Sequence, residues 1–568
     1  MYILGLTTMG ESAAALLRDG QLVAAAEEER FSRKKHHIGF PFNAVRYCLD
    51  EAGIGLKDVA YVGHYWKPWV LGHRIIQTLA TLPTAYSHFR ARVARGRDQL
   101  TGAYRVMFKL RSTLERNFGP GPYQLVYVDH HMSHAASAFL VSPFDSAAVF
   151  TVDGVGEDTT TLFAHGQGTR IREISRVRLP HSLGQFYSAV TNFLGFDMFQ
   201  GDEYKVMGMA AWGEPEFADA LHQKVLKSNG HGDFRLDISY VDHQLARKNL
   251  FSEKMKQLLG EPRLPKEEIL QRHFNVAASA QRVLEDIAMD LVEYLRRQTH
   301  EENLVMAGGV ALNSVMNGRI VRDSGFKNIY IQPAAMDAGG SLGSALYVWH
   351  TVLGHGREFV MRHAYTGPGF TQEQCLQAIQ DRPLGYVEAS EEDVIQRTAR
   401  SVADGKLVAW FQGRMEWGPR ALGSRSFLAD PRRPEIKETI NRKIKLREPF
   451  RPFAPSILEE YCEEVFGARF DAPFMITVFP VREEMKKKIP AVIHVDGTAR
   501  PQLVSKKESP RYWKVIDEFR KISGVPVVLN TSFNIQEPIV CTPQDAVNCF
   551  LRSDADLLVM DRLLITKK

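Results

Sequence analysis

The sequence predicts a two-part α/β protein, and three observations carry that prediction. A strand, glycine-loop, strand unit occurs twice, and two glycine pairs further on each sit between an apolar strand and a helix. A Gly-, His- and Pro-rich stretch at 356–371, ending YTGPGFT, separates residues 1–355 from a second α/β pattern over 372–568. With 568 residues, 44% of them hydrophobic, the chain can bury a large core in each part.

The repeat lays GESAAALLRDGQ (Gly10–Gln21) without gaps on GEDTTTLFAHGQ (Gly156–Gln167), matching Gly10 with Gly156, Glu11 with Glu157 and Gly20 with Gly166. Each copy reads strand, glycine loop, strand, tight glycine turn, strand. Two such halves facing one another make an actin-like nucleotide-binding fold, in which loop N–H groups meet the nucleotide phosphates.

NLVMAGGVALN runs through Gly308 and Gly309 from a buried strand into a helix, and NIYIQPAAMDAGGSLG repeats the design at Asp337, Gly339 and Gly340. Missing side chains there allow close backbone approach to a ligand. Residues 72–118 read as an insertion of basic amphipathic helices, carrying Arg90, Arg92, Arg95, Arg97 and Arg105.

YQLVYVDHHMSHAASAFL is a strand entering a helix, with His130 and His134 four residues apart and so on one face. Asp153 and Asp337 end apolar strands, where a carboxylate calls for a compensating cation. Two imidazoles with one or two carboxylates make an open divalent site, and Fe(II) or another first-row ion fits it better than the oxygen-preferring Mg²⁺.

Between Arg414 and Arg451 lie eight arginines and three lysines against five acids. Arg420, Arg425, Arg447 and Arg451 stand among Gly and Pro, where a turning backbone can aim several planar forks at one point. Trp417, Phe427, Phe450 and Phe453 interleave with them, which points to an aromatic-lined anion site.

Overall charge is only +5, from 71 basic and 66 acidic residues, so attraction for anions is local and the bulk charge argues against a nucleic-acid partner. Five scattered cysteines without a metal spacing suit a reducing cytoplasm. The N-terminus lacks a basic leader and no apolar run reaches bilayer length, so neither export nor a membrane span is expected.

The blocks AAEEERFSRKKH, HHMSHAASA, VDGVGE, YKVMGMAAWG, MAGGVALN, MDAGGSLG, GRMEWGPRALGSRS, REPFRPFAPS, HVDGTARPQ and LNTSFN, in this order, resemble the NodU/CmcH-type O-carbamoyltransferases of antibiotic and nodulation-factor biosynthesis. That resemblance implies an N-terminal domain similar to the actin-like protein that makes threonylcarbamoyladenosine in tRNA, and a C-terminal YrdC-like domain that forms carbamoyl adenylate. It implies ATP and carbamoyl phosphate as co-substrates and a small-molecule hydroxyl as acceptor. Carried over by position, Arg420, Arg451, Arg500, Asn530 and Ser532 would line the activating site. His130, His134, Asp337 and Asp153 would hold the metal. Asp153, Gly154, Gly156, Lys205, Gly308, Gly309, Asn313 and Gly340 would surround the nucleotide.

One departure stands out. Members of the family it resembles usually carry His-Asp-Ala-Ser in the first glycine loop, which implies a histidine serving the acceptor hydroxyl, and this chain has Gly10-Glu11-Ser12-Ala13. His36, His37 and Glu11 are the candidate substitutes. Two alternatives stay open: carbamoyl or threonylcarbamoyl transfer to tRNA, and a nucleotide-binding regulator without transfer activity. For the oligomeric state a homodimer is one expectation.

Overall fold

The computed structural model describes residues 1–70, 103–241 and 249–568. The arginines at 90, 92, 95 and 97 expected on a basic helix lie outside them. The chain divides into two compact units: Met1–Glu29 with His36–Met361, and Arg30–Lys35 with Arg362–Lys568.

Unit 1 contains the same five-stranded sheet twice. Strands β1 (Tyr2–Thr7), β2 (Ala13–Arg18) and β3 (Gln21–Glu27) form an antiparallel meander, and β4 (Val59–His64) and β5 (Gln124–Tyr127) add in parallel beyond β1, giving the order β3-β2-β1-β4-β5. Strands β6 (Ser146–Val152), β7 (Thr159–Gln167) and β8 (Arg170–Arg178) repeat the meander. After a small hairpin of β9 (Leu226–Ser228) and β10 (Phe234–Leu236), β11 (Asn303–Ala307) and β12 (Asn328–Ile331) extend the second sheet in parallel from β6. The unit is therefore the duplicated α/β arrangement of the actin-like class. YILGLT and AAALLR are almost continuously apolar because they are covered on both faces, whereas the outer strand RIREISRVR carries the charge of an edge.

The ungapped repeat slips at its turn. In the first copy the chain turns at Asp19 and Gly20; in the second, β7 runs three residues longer than β2 and turns at Gly168. Gly166, the sequence partner of Gly20, is instead a strand residue paired with Ala147 and Ile171. It stays small because a Cβ there would lie 2.7 Å from the Phe139 ring.

The helices His130–Phe139 and Asp337–Tyr347 pack on one another, and Gly343, where a Cβ would fall 1.8 Å from Ser133 O, allows the close approach that brings the ends carrying His130 and Asp337 together.

Unit 2 is built on strands β13 (Leu384–Glu388), β14 (Val408–Phe411), β15 (Arg425–Ala429), β16 (Ala454–Leu458), β17 (Phe479–Pro480), β18 (Thr498–Ala499), β19 (Gln502–Val504), β20 (Val527–Ser532), β21 (Leu557–Met560) and β22 (Leu563–Lys567). Eight of them form one mixed sheet, β13-β22-β21-β14-β15-β20-β16-β19, and β17 pairs with β18. Trp410, Phe427, Leu428, Val528, Leu529, Leu558 and Val559 fill its core.

The boundary at Met361 and Arg362 falls inside the Gly- and Pro-rich stretch. Met361 N–H bonds Val141 O in unit 1, while Ala364 O accepts from Trp417 N–H and Tyr365 Oη donates to Leu422 O in unit 2. The six residues Arg30–Lys35, inside the first half of the sequence, belong to unit 2.

Candidate functional site: a metal centre and an anion site

In unit 1, Asp129 caps the helix His130–Phe139 by accepting from Met132 N–H, and the four-residue spacing stacks His130 and His134 on one face. Their Nε2 atoms lie 3.1 Å apart and each is 3.1 Å from Asp153 Oδ2, at the end of β6. Asp337 Oδ1, at the start of the facing helix, lies 3.7 Å from His130 Nε2 and 3.8 Å from His134 Nε2. One ligand atom from each residue falls within 4.8 Å of the others. Burial alone would lower His134, but hydrogen bonds with Asp153 and Asp337 outweigh it and raise the imidazole to about 9. Burial likewise opposes ionisation of Asp153, yet its contacts with His130 and His134 hold it well below the usual carboxylate range.

These donors fit a divalent first-row ion. Two buried imidazoles converge with two carboxylates, a set whose negative charge a cation offsets, and among the described residues neither His130 Nδ1 nor His134 Nδ1 has a hydrogen-bond partner. Buried supports surround the cluster. Tyr65 Oη reaches Asp337 Oδ2 at 3.0 Å, and Glu157 accepts from the N–H groups of Lys67 and His130. Glu157 stood out in the sequence only as the repeat partner of Glu11, and Tyr65 carried no signal there.

The glycine loops converge on the same centre. Asp153 Oδ1 accepts from Gly154 N–H at 2.6 Å and Gly309 N–H at 3.3 Å. A Cβ on Gly156 would press on the His130 ring, one on Gly308 on Val152 O, and one on Gly340 on Tyr65. Two other expected nucleotide residues are engaged differently. Asn313 caps the helix Ser314–Asp323 and exchanges amide hydrogen bonds with Gln281, while Lys205 pairs with Asp202 at 3.0 Å and lies over Phe196.

Gly10 sits in the left-handed region at φ +63°, and a Cβ there would fall 1.9 Å from Asp337 Oδ2. The space a side chain would need is therefore held by the Asp337 carboxylate. Glu11 Oε1 lies 3.0 Å from His36 Nδ1, and His36 Nε2 lies 3.0 Å from Gln200 O. Burial raises the Glu11 carboxyl, and the bond with Glu11 raises His36. Because both ring nitrogens face oxygen acceptors, the site favours an imidazolium, and a base role for His36 requires one contact to open. His37 is half-buried, and its carbonyl accepts from Ser12 N–H.

In unit 2, Arg500 is driven well below the ordinary arginine range by burial and then by the charges of Arg420, Arg447 and Arg451, so four guanidinium groups share one neighbourhood. Arg447 lies over the Phe453 ring and Lys445 over Phe427. Arg451 lies 3.8 Å from Glu448. Asn530 Nδ2 donates to Ala421 O, holding the turn next to Arg420, and among the described residues its Oδ1 has no partner. Ser532 belongs to a tight set: Lys445 Nζ reaches Ser532 Oγ at 3.1 Å and Asn534 Oδ1 at 2.7 Å. Lys445 and Asn534 were not singled out from sequence, although the KIKLREPF and TSFN runs contain them. Burial, followed by Arg447, pushes Lys445 well below the usual ammonium range.

Arg425 does not join this group. It is fully buried, donates to the carbonyls of Gln412, Gly413, Ser424 and Pro368, and lies 3.7 Å from the centre of the Phe411 ring. An anion-binding role read from its neighbours in sequence is therefore corrected: the carbonyl cage leaves its fork committed to the backbone.

A duplicated sheet with a histidine–aspartate centre, in one chain with a mixed α/β unit that concentrates arginines, defines a two-part α/β protein with a candidate metal centre and a candidate anion site. Residues 2–346 match the carbamoyltransferase N-terminus and residues 399–567 the carbamoyltransferase C-terminus, so the chain belongs to the carbamoyltransferase family. It is similar to the uncharacterized protein sll1178 of Synechocystis sp., at 41% identity over 100% of this chain and 97% of that protein. Nodulation protein NolNO of Sinorhizobium fredii is 38% identical over 99% of this chain and 80% of its own. Nodulation protein NolO of Bradyrhizobium diazoefficiens is 40% identical over 78% of this chain and 79% of its own. Among the described residues no helix is long and apolar enough to cross a membrane.

Proposed function

We propose that this carbamoyltransferase uses carbamoyl phosphate, ATP and water to form carbamoyl-AMP in residues 372–568, releasing phosphate and pyrophosphate. The carbamoyl group then passes to a hydroxyl of a small natural-product acceptor in residues 1–355, releasing AMP. The observation that carries the reading is a buried Arg500 that feels the charges of Arg420, Arg447 and Arg451, with burial first and those charges second in disfavouring its own. Buried cations are tolerated together when an anion neutralises them, and carbamoyl phosphate with ATP brings several charges to one point.

Arg420, Arg451 and Arg500 supply forks for phosphate oxygens and stabilise charge on the departing pyrophosphate. Asn530 fixes the turn beside Arg420, and Ser532 with Lys445 and Asn534 lines the same end of β20. In unit 1, His130, His134, Asp153 and Asp337 would hold a divalent ion, Fe(II) in first place, which when bound supplies Lewis acidity toward a phosphate or carbonyl oxygen. Gly154, Gly156, Gly308, Gly309 and Gly340 bring backbone rather than side chains to the nucleotide. Glu11, His36 and His37 remain the candidates for taking the acceptor proton.

The test is an assay with ATP and carbamoyl phosphate but no acceptor. Release of pyrophosphate that needs both compounds is the expected result. Its absence overturns the adenylation reading.

A further inference from the structure

The run EERFSRKKH leaves unit 1 after Glu29 and returns to it at His36, and neither the metal centre nor the anion site accounts for its arginines. Within unit 2 these arginines make specific contacts. Arg30 is 4% exposed, and its Nη2 donates to Gly418 O at 2.8 Å. Gly418 is followed by Pro419, whose ring fixes one backbone angle, and then by Arg420. On the other side of Arg420, Ala421 O accepts from Asn530 Nδ2 and Leu422 O from Gln502 Nε2 and Tyr365 Oη. The backbone that aims Arg420 is thus held from both directions, and Arg30 supplies the N-terminal hold.

Arg33 acts on the neighbouring loop. Its Nη1 donates to Ile539 O at 2.7 Å and its Nη2 to Pro538 O at 2.6 Å, while its Nε lies 3.5 Å from Asp545 Oδ1. Asp545 Oδ2 accepts from the N–H groups of Cys541 and Thr542. Val540 N–H bonds Phe533 O, so the loop gripped by Arg33 closes on the chain between Ser532 and Asn534.

We propose that Arg30 is a positioning residue for the anion site of unit 2: through Gly418 O it sets the direction of the Arg420 fork, with Arg33 giving the matching hold behind Ser532 and Asn534. A buried guanidinium on a turn carbonyl is a directional fastening, since its planar donors fix angle as well as distance. The proposal rests on the adenylation reading for its kinetic consequence but not for its binding consequence.

The test uses the full chain and its Arg30→Ala, Arg30→Lys and Arg33→Ala variants. Calorimetry with inorganic pyrophosphate reads the anion site without any reaction, and acceptor-free pyrophosphate release reads KM and kcat for carbamoyl phosphate. Arg30→Ala is expected to weaken pyrophosphate binding and raise the KM for carbamoyl phosphate by about tenfold, the scale of losing one charge-assisted hydrogen bond. The melting temperature should stay close to the parent's. Arg30→Lys should recover part of the affinity, because an ammonium can still reach one carbonyl. Parent-like pyrophosphate affinity in a folded Arg30→Ala variant overturns the proposal, as does a parent protein that binds no pyrophosphate. If Arg30→Ala does not fold, Arg30→Lys and Arg33→Ala are read on the same two measurements. Parent-like affinity in both, or failure of all three to fold, assigns the segment to folding alone and overturns the proposal. A parent that binds pyrophosphate yet releases none from ATP and carbamoyl phosphate sinks the adenylation reading and leaves the Arg30 test standing on binding.

Discussion

His130 and His134 hold their Nε2 atoms 3.1 Å apart, each 3.1 Å from the same oxygen of Asp153. Two imidazole nitrogens in that position share one acceptor and repel when both are protonated, so the cluster is suited to a cation at its centre.

Accordingly, His130→Ala and His134→Ala should each lose bound metal in elemental analysis and lose acceptor carbamoylation. Pyrophosphate release from ATP and carbamoyl phosphate should persist, because the arginines assigned to it belong to unit 2. Metal stoichiometry equal to the parent's in both variants would reject the ligand assignment.

Arg420→Lys and Arg500→Lys retain charge but remove a planar fork. Each should reduce kcat/KM for carbamoyl phosphate by an amount equivalent to about 2 kcal/mol or more, the scale of removing one positioned donor. The Arg500 variant is the sharper case, since burial already disfavours its charge and an ammonium there sheds its proton more readily than a guanidinium. Unaltered kinetics in both variants would place the anion site elsewhere.

The duplicated sheet was legible because period and turn chemistry are local: GESAAALL and GEDTTTLF each announce a loop and a strand. The turn itself was misplaced by two residues, since Gly166 and Gly168 read alike in sequence and only the Phe139 ring packed over one of them tells them apart. The island of arginines was legible as charge but not as direction. Arg425 and Arg420 share the same local composition, yet one is caged by four carbonyls and the other turns its charge on Arg500. The membership of Arg30–Lys35 in unit 2 left no trace, because, apart from the Arg33–Asp545 pair, its hydrogen bonds to Gly418, Pro538 and Ile539 run to backbone oxygens, which any residue provides.

Acid should weaken unit 1 through His64. This ring is fully buried, with Nε2 on Thr8 Oγ1 and Nδ1 on Trp66 O, and burial lowers it to about 4 from an ordinary 6.5. The unfolded chain then binds a proton that the folded chain refuses, so stability is undiminished above pH 6.5 and falls as pH drops from 6.5 toward 4. The loss from this group approaches roughly 3 kcal/mol and levels off below pH 4. Urea unfolding across that range checks it: the parent should lose stability more steeply than His64→Gln, and parallel profiles would exclude His64 as a source.

Gly10→Ala tests why this chain dispenses with a side chain in its first glycine loop. The added Cβ would meet Asp337 Oδ2 at 1.9 Å, and φ +63° is a conformation that alanine adopts at a cost. One of two things must give: the loop, at roughly 1–3 kcal/mol of backbone strain, or the Asp337 carboxylate, which also holds Tyr65 Oη and faces both histidines. The variant is therefore expected to melt lower than the parent and to release its metal to a chelator faster, as read by absorption of a cobalt-substituted sample. Gly10→His, which installs the histidine that the family resemblance leads one to expect there, should suffer the same losses and gain no transfer activity, since the place for its side chain is occupied. A Gly10→His protein that keeps its metal and transfers faster would mean that Asp337 can move aside, and that the glycine is not required by the packing described above.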